Sequence, residues 1–132
     1  SNSRERAEIR VTAQVFDLYI MNAMLPLFGQ LRASPRDSSI VKPAIEACLN
    51  GLRFAETGWK GGNYAVGNKF SLADCIAAPT LLFVETFLPM FDVASPLSSA
   101  PALSAYWNDL QNSEHASNVL MEMRNALAAA SN

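Results

Sequence analysis

The stretch GNKFSLADCIAAP, residues 67–79, places a serine three positions before an aspartate and a cysteine directly after it. Such a grouping invites a catalytic reading, and its neighbours decide between catalysis and architecture. With Ser71 as the residue just outside a helix, Asp74 falls at the third helical position. Each side chain then reaches the other's backbone NH, the reciprocal arrangement of a capping box. Phe70 and Cys75 take the flanking positions of a hydrophobic staple, which predicts that Cys75 is buried and inert as a nucleophile. The residues that follow are apolar almost all round. At about 100° per residue, Ile76, Ala77, Ala78, Leu81, Leu82, Phe83, Val84 and Phe87 leave only a narrow polar sector near Asp74 and Glu85. A helix of that kind belongs in the middle of a bundle, where its first NH groups cannot turn to water and the cap matters more. A nucleophilic triad has little support, because the only histidine, His115, lies in the polar connection NSEHASN.

Working outward, helix-period patterns recur from end to end, and no segment alternates apolar and polar residues as a half-buried strand does. The prediction is an all-α bundle of about five helices around the buried central one. The first runs from about Arg4 to Leu31, with Pro26 bending it near Asn22 because the proline NH is missing. After RASPRDSS, a second helix covers about Ser39 to Thr57. The loop TGWKGGNYAVGNK leads to the central helix, about Leu72 to Leu88, ended by Pro89. Its aromatics, Trp59 and Tyr64, read as anchors that hold the loop to the bundle. A fourth helix follows from about Pro101 to Gln111, with Ser99 or Ala100 just outside it, and a fifth starts near Ser117 as N-cap.

The chain has 132 residues, 50% of them hydrophobic, which fits a single domain with a core of ordinary size. Residues 1 and 2 read as a cloning remnant. Ten basic and twelve acidic side chains give a net charge of -2, and their scatter argues against nucleic acid or an anionic membrane as partner. The longest apolar runs fall short of a membrane span of roughly 20 residues. Two cysteines outside any Cys-x-x-Cys pair, with no signal peptide, point to a reducing, cytoplasmic setting. No metal site is expected from a lone histidine.

Phe70, Ser71, Leu72, Ala73 and Asp74, after a Gly-Asn loop, resemble position by position the capping signature of the C-terminal domain of glutathione S-transferases. The opening RERAEIR, residues 4–10, is similar to the start of that domain's first helix. APALSAYWNDLQNSEHASNVL, residues 100–120, is similar to its closing helix pair, with Trp107 at the usual aromatic position. No strand-helix-strand pattern lies within these residues to form the family's N-terminal thioredoxin-like domain. The resemblance therefore implies the second domain only. It implies a homodimer, glutathione as co-substrate of the longer protein, an apolar electrophile as second substrate, and no catalytic residue in this chain. An alternative is the same fold used as a non-catalytic protein-interaction module.

The first helix shows two apolar stripes. Ile9, Ala13, Phe16, Ile20, Ala23 and Leu27 make one; Val11, Val15, Leu18 and Leu25 make the other. One is expected to face the bundle, the other a thioredoxin-like domain or second subunit. Between them lie Arg10, Gln14, Asp17, Met21, Met24 and Phe28. By the resemblance, Gln14 and Asp17 are the glutathione-proximal residues. Met21, Met24 and Phe28 form the electrophile wall, for which flexible thioethers are suited. The plainer reading of Gln14 and Asp17 is a solvated face.

Overall fold

The computed structural model describes residues 3–60 and 62–130; the remnant reading of residues 1 and 2 lies outside them. Among the described residues five helices account for the fold: α1 (Ser3–Gln30), then α2 (Ser38–Thr57), α3 (Leu72–Phe87), α4 (Pro101–Gln111) and α5 (Ser117–Ala130). Among the described residues there is no strand. The predicted boundaries hold to within a residue or two.

Each connection has an identifiable fixing. Asp37 opens α2, its carboxylate accepting from the Ser39 NH at 3.0 Å, so the helix starts a residue earlier than expected. Arg36, just before, donates to the carbonyls of Gln30 and Leu31 at 3.2 and 3.4 Å and to that of Met90. Its guanidinium lies 4.3 Å from the centre of the Phe91 ring. One cation thus ties the C-terminal end of α1 to the 3₁₀ turn Leu88–Phe91 that closes α3, where unpaired carbonyls favour positive charge. The first turn of α4 has no cap of its own. Glu56 supplies one from the end of α2, accepting from the NH groups of Ala102 and Leu103 at 2.9 Å each. The α5 start differs from expectation: Ser117 is already helical, and Ser113 Oγ accepts from the Ala116 NH at 3.1 Å.

The core gathers on α3. Ala73, Ala77, Leu81 and Val84 are sealed, and the Phe16, Ile20 and Leu27 stripe of α1, Leu52 of α2 and Leu103, Tyr106, Trp107 and Leu110 of α4 close round them. By length and hydropathy both Ser3–Gln30 and Leu72–Phe91 could cross a membrane, although no contiguous apolar run showed it; half of the Leu72–Phe91 window is buried in the bundle, as a central helix requires. Asp74 belongs to this interior with no exposed surface. Of the polar sector expected near Asp74 and Glu85, only Glu85 is exposed; Leu72, 56% exposed, and Cys75 stay open as well.

Candidate functional site

The opening stretch proves architectural. Asp74 Oδ2 accepts from the Ser71 NH at 3.0 Å, the better-made half of the capping box. Its other oxygen accepts from the Ala65 NH at 2.9 Å and from the Tyr106 hydroxyl at 2.6 Å. One sealed carboxylate therefore joins the loop before α3, the first turn of α3 and the middle of α4. Burial first, and then the bond to Asp74, push the Tyr106 phenol far above its ordinary pKa. The staple expectation fails. Cys75 is exposed, and Phe70 stacks on His115 instead, ring centres 4.9 Å apart. Asp74 turns inward to reach Tyr106 and Ala65, so the next residue, about 100° further round, turns outward. His115 has an aromatic partner and no role as a base to Ser71 is visible in its contacts.

The candidate residues of α1 divide into three groups. Gln14 and Asp17 are exposed, which a solvated face and a ligand contact both require. Met21 and Phe28 are half-buried, Phe28 edge-on to Phe83 and Phe87 at 5.9 and 5.3 Å. Met24 corrects the expectation: it has no exposed surface and sits in the core cluster, so it presents no wall to a ligand. The cause is a π-helical segment, Val15–Met21, within α1. Its wider turn advances less per residue and brings Met24 round onto the buried stripe. The rerouting expected of Pro26 near Asn22 is placed just upstream, and α1 continues through the proline.

The second stripe of α1 is open. Val11, Leu18 and Leu25 are 59%, 56% and 53% exposed. Beside it, α2 contributes Phe54, 55% exposed, whose ring packs 5.1 Å from that of Tyr19. A cleft of about 250 Å³ opens between the helices, floored by Val15, Phe16 and Ala55 and flanked by Val11, Phe54 and Trp59. Neither Gln14 nor Asp17 lines it. Trp59 anchors its loop as the sequence implied, edge-on to Phe16 at 6.0 Å and against Tyr106 at 4.8 Å. Phe54 was missed, because an aromatic on the polar side of α2 gives no periodic signal; its placement opposite the second stripe of α1 is a tertiary fact. Among the described residues no group of three His, Cys, Asp or Glu side chains gathers to hold a metal.

The family model described as glutathione S-transferase, C-terminal domain, matches residues 15–114, and the chain belongs to that family. No curated protein and no solved structure matches the chain at a significant level.

Proposed function

We propose that this chain is the substrate-side domain of a glutathione transferase whose full-length form joins the glutathione thiolate to an apolar electrophile. The open apolar stripe of α1 in a chain of this family carries the reading. Burying Val11, Val15, Leu18, Tyr19 and Phe54 against a second folded unit removes apolar surface of a kind that soluble monomers seldom leave contiguous. The thioredoxin-like domain of the same protein, or a second subunit, is that unit. On the other flank, Gln14 and Asp17 face glutathione, and Met21 and Phe28, with the aromatic cluster behind Phe28, face the electrophile. The thioredoxin-like domain supplies the thiolate stabiliser. This chain excludes water and orients the electrophile, a contribution of proximity. The setting is the cytoplasm.

The test uses the protein with its thioredoxin-like domain in the same polypeptide. Conjugation of glutathione to a small aromatic electrophile is expected there and not from residues 1–132 alone. Asp17→Ala should weaken glutathione use, while Met21→Ala or Phe28→Ala should change the ranking of electrophiles by about 1 to 3 kcal/mol of transition-state discrimination. Met24→Ala should instead lower stability without changing that ranking. A full-length protein that shows no glutathione binding by calorimetry would leave the fold as an interaction module and sink the enzymatic reading.

A further inference from the structure

The π-helical segment of α1 serves a purpose of its own. The fully buried residues Phe16, Ile20 and Met24 are spaced four apart. In a regular α-helix four residues overshoot a turn by about 40°, so two such steps carry Met24 about 80° round from Phe16, toward the edge of a stripe little more than about 100° wide. Val15–Met21 is π-helical instead, closed by a bond from the Asn22 NH to the Asp17 carbonyl five residues back. The wide turn keeps Phe16, Ile20 and Met24 on one line.

A widened turn needs room, and α2 provides it at one position. A Cβ built on Gly51 would lie 2.1 Å from the Tyr19 carbonyl oxygen, 2.8 Å from its carbon and 3.2 Å from Ile20 Cγ1. Tyr19 and Ile20 both belong to the π segment. The nearest atoms are backbone, which cannot swing aside as the end of a side chain can. One turn further along α2, Phe54 meets the Tyr19 ring, so the close approach at Gly51 also brings the two exposed aromatics together.

We infer that Gly51 is a positioning residue that holds α1 in its π register. The absent side chain admits the Tyr19 carbonyl. A side chain there drives the segment toward an α-helical register, turns Met24 toward the edge of the core and rotates the second half of α1 relative to Gln14. This holds whichever unit covers the helix, and it is independent of the transferase reading.

The experiment compares three variants of the full chain: Gly51→Ala, deletion of Leu18, and both together. Leu18 lies within the π segment and is 56% exposed. Its deletion brings Phe16 and Ile20 to a three-residue spacing, which suits an α-helical stripe. Gly51→Ala alone should lower the denaturation midpoint sharply and speed amide exchange at Asn22 about tenfold or more relative to Leu110. In the deletion background the same substitution should shift the midpoint little, the signature of coupling between contacting sites. Peroxide should oxidise Met24 in Gly51→Ala about tenfold faster than in the unaltered chain, with exposed Met121 as the internal standard. Equal midpoint losses in the two backgrounds, or a folded Gly51→Ala with Met24 still protected, would overturn the inference. If the single substitution abolishes folding, the pair decides: a folded pair supports the register role, and an unfolded pair refutes it.

Discussion

Helices α1 and α3 are both long and apolar, yet they are held in opposite ways. The entry of α3 is fixed by polar chemistry, since Asp74 accepts hydrogen bonds from Ser71, Ala65 and Tyr106 with no exposed surface. The register of α1 is fixed by backbone shape, through the π segment Val15–Met21 and the bare Gly51 that receives it. The difference follows from surroundings. A helix closed in on most sides cannot send its orphan NH groups to water, so a buried acceptor has to serve them. A helix with one open side is oriented only by what it packs against, and small changes in its turn decide which residues are buried.

The largest expected effect breaks the polar end of that contrast. Asp74→Ala leaves two backbone NH groups and the Tyr106 hydroxyl without their acceptor at a sealed site. At about 1 to 3 kcal/mol for each unsatisfied buried group, the loss should reach about 3 kcal/mol or more. A surface cap is worth only about 1 kcal/mol. Chemical denaturation measures it, and an unchanged midpoint would mean the carboxylate does not hold the fold together.

How far the sequence carried is explained by the same contrast. Ser71 and Asp74 announce themselves because a capping box is local: three residues apart in the chain, they meet in any helix that starts there. The α3 core and the boundaries of all five helices were legible for the same reason, from period and punctuation. The other partners of Asp74, Ala65 and Tyr106, were not legible, being nine and 32 positions away. Met24 falls at the edge of the buried stripe at about 100° per residue, and the π-helical segment that turns it inward leaves no mark in the residue pattern. The exposure of Cys75 was not legible because the partners that draw Asp74 inward and take Phe70 away, Ala65, Tyr106 and His115, lie far along the chain.

Second in size is an alkaline weakening that tests the interior of α2. Burial raises the Cys48 thiol from 9.0 to about 12. Between those values the unfolded chain has lost the proton and the folded chain keeps it, so this contribution to stability is complete below pH 9 and falls as pH rises toward 12. The slope expected from one such group is about 1.4 kcal/mol per pH unit. The buried Tyr106 phenol, also raised, adds a fall of the same sign. Denaturation of wild type and Cys48→Ala at pH 8, 9.5 and 10.5 isolates the thiol: the variant's decline should be shallower, and parallel declines would contradict the assignment. Exposed Cys75 should react with a disulfide reagent in the folded protein while Cys48 stays protected until unfolding.

A smaller effect sharpens the comparison at a third helix. Glu56 caps α4 from the end of α2 at a partly exposed place, so water can replace part of what Glu56→Ala removes. The expected loss is about 1 to 2 kcal/mol, below that of Asp74→Ala. A loss as large as the Asp74 variant's would show that sequestration from water does not set the scale.

The smallest change in stability tests the open side of α1. Leu18 and Phe54 are 56% and 55% exposed, and replacing either by lysine removes little that the folded chain buries, so the midpoint should move by no more than about 0.5 kcal/mol. Their value lies in association. Val11, Leu18, Tyr19 and Phe54 share the seam between α1 and α2, and while that seam is uncovered two chains can bury it against each other. Residues 1–132 alone should therefore show a sedimentation coefficient that rises with concentration. Leu18→Lys or Phe54→Lys should abolish the rise, because each places a cation in a surface that excludes water only if it stays apolar. A chain that is monomeric at every concentration, and indifferent to both substitutions, would show that the seam needs no cover. The open side of α1 would then be stable in water without a partner.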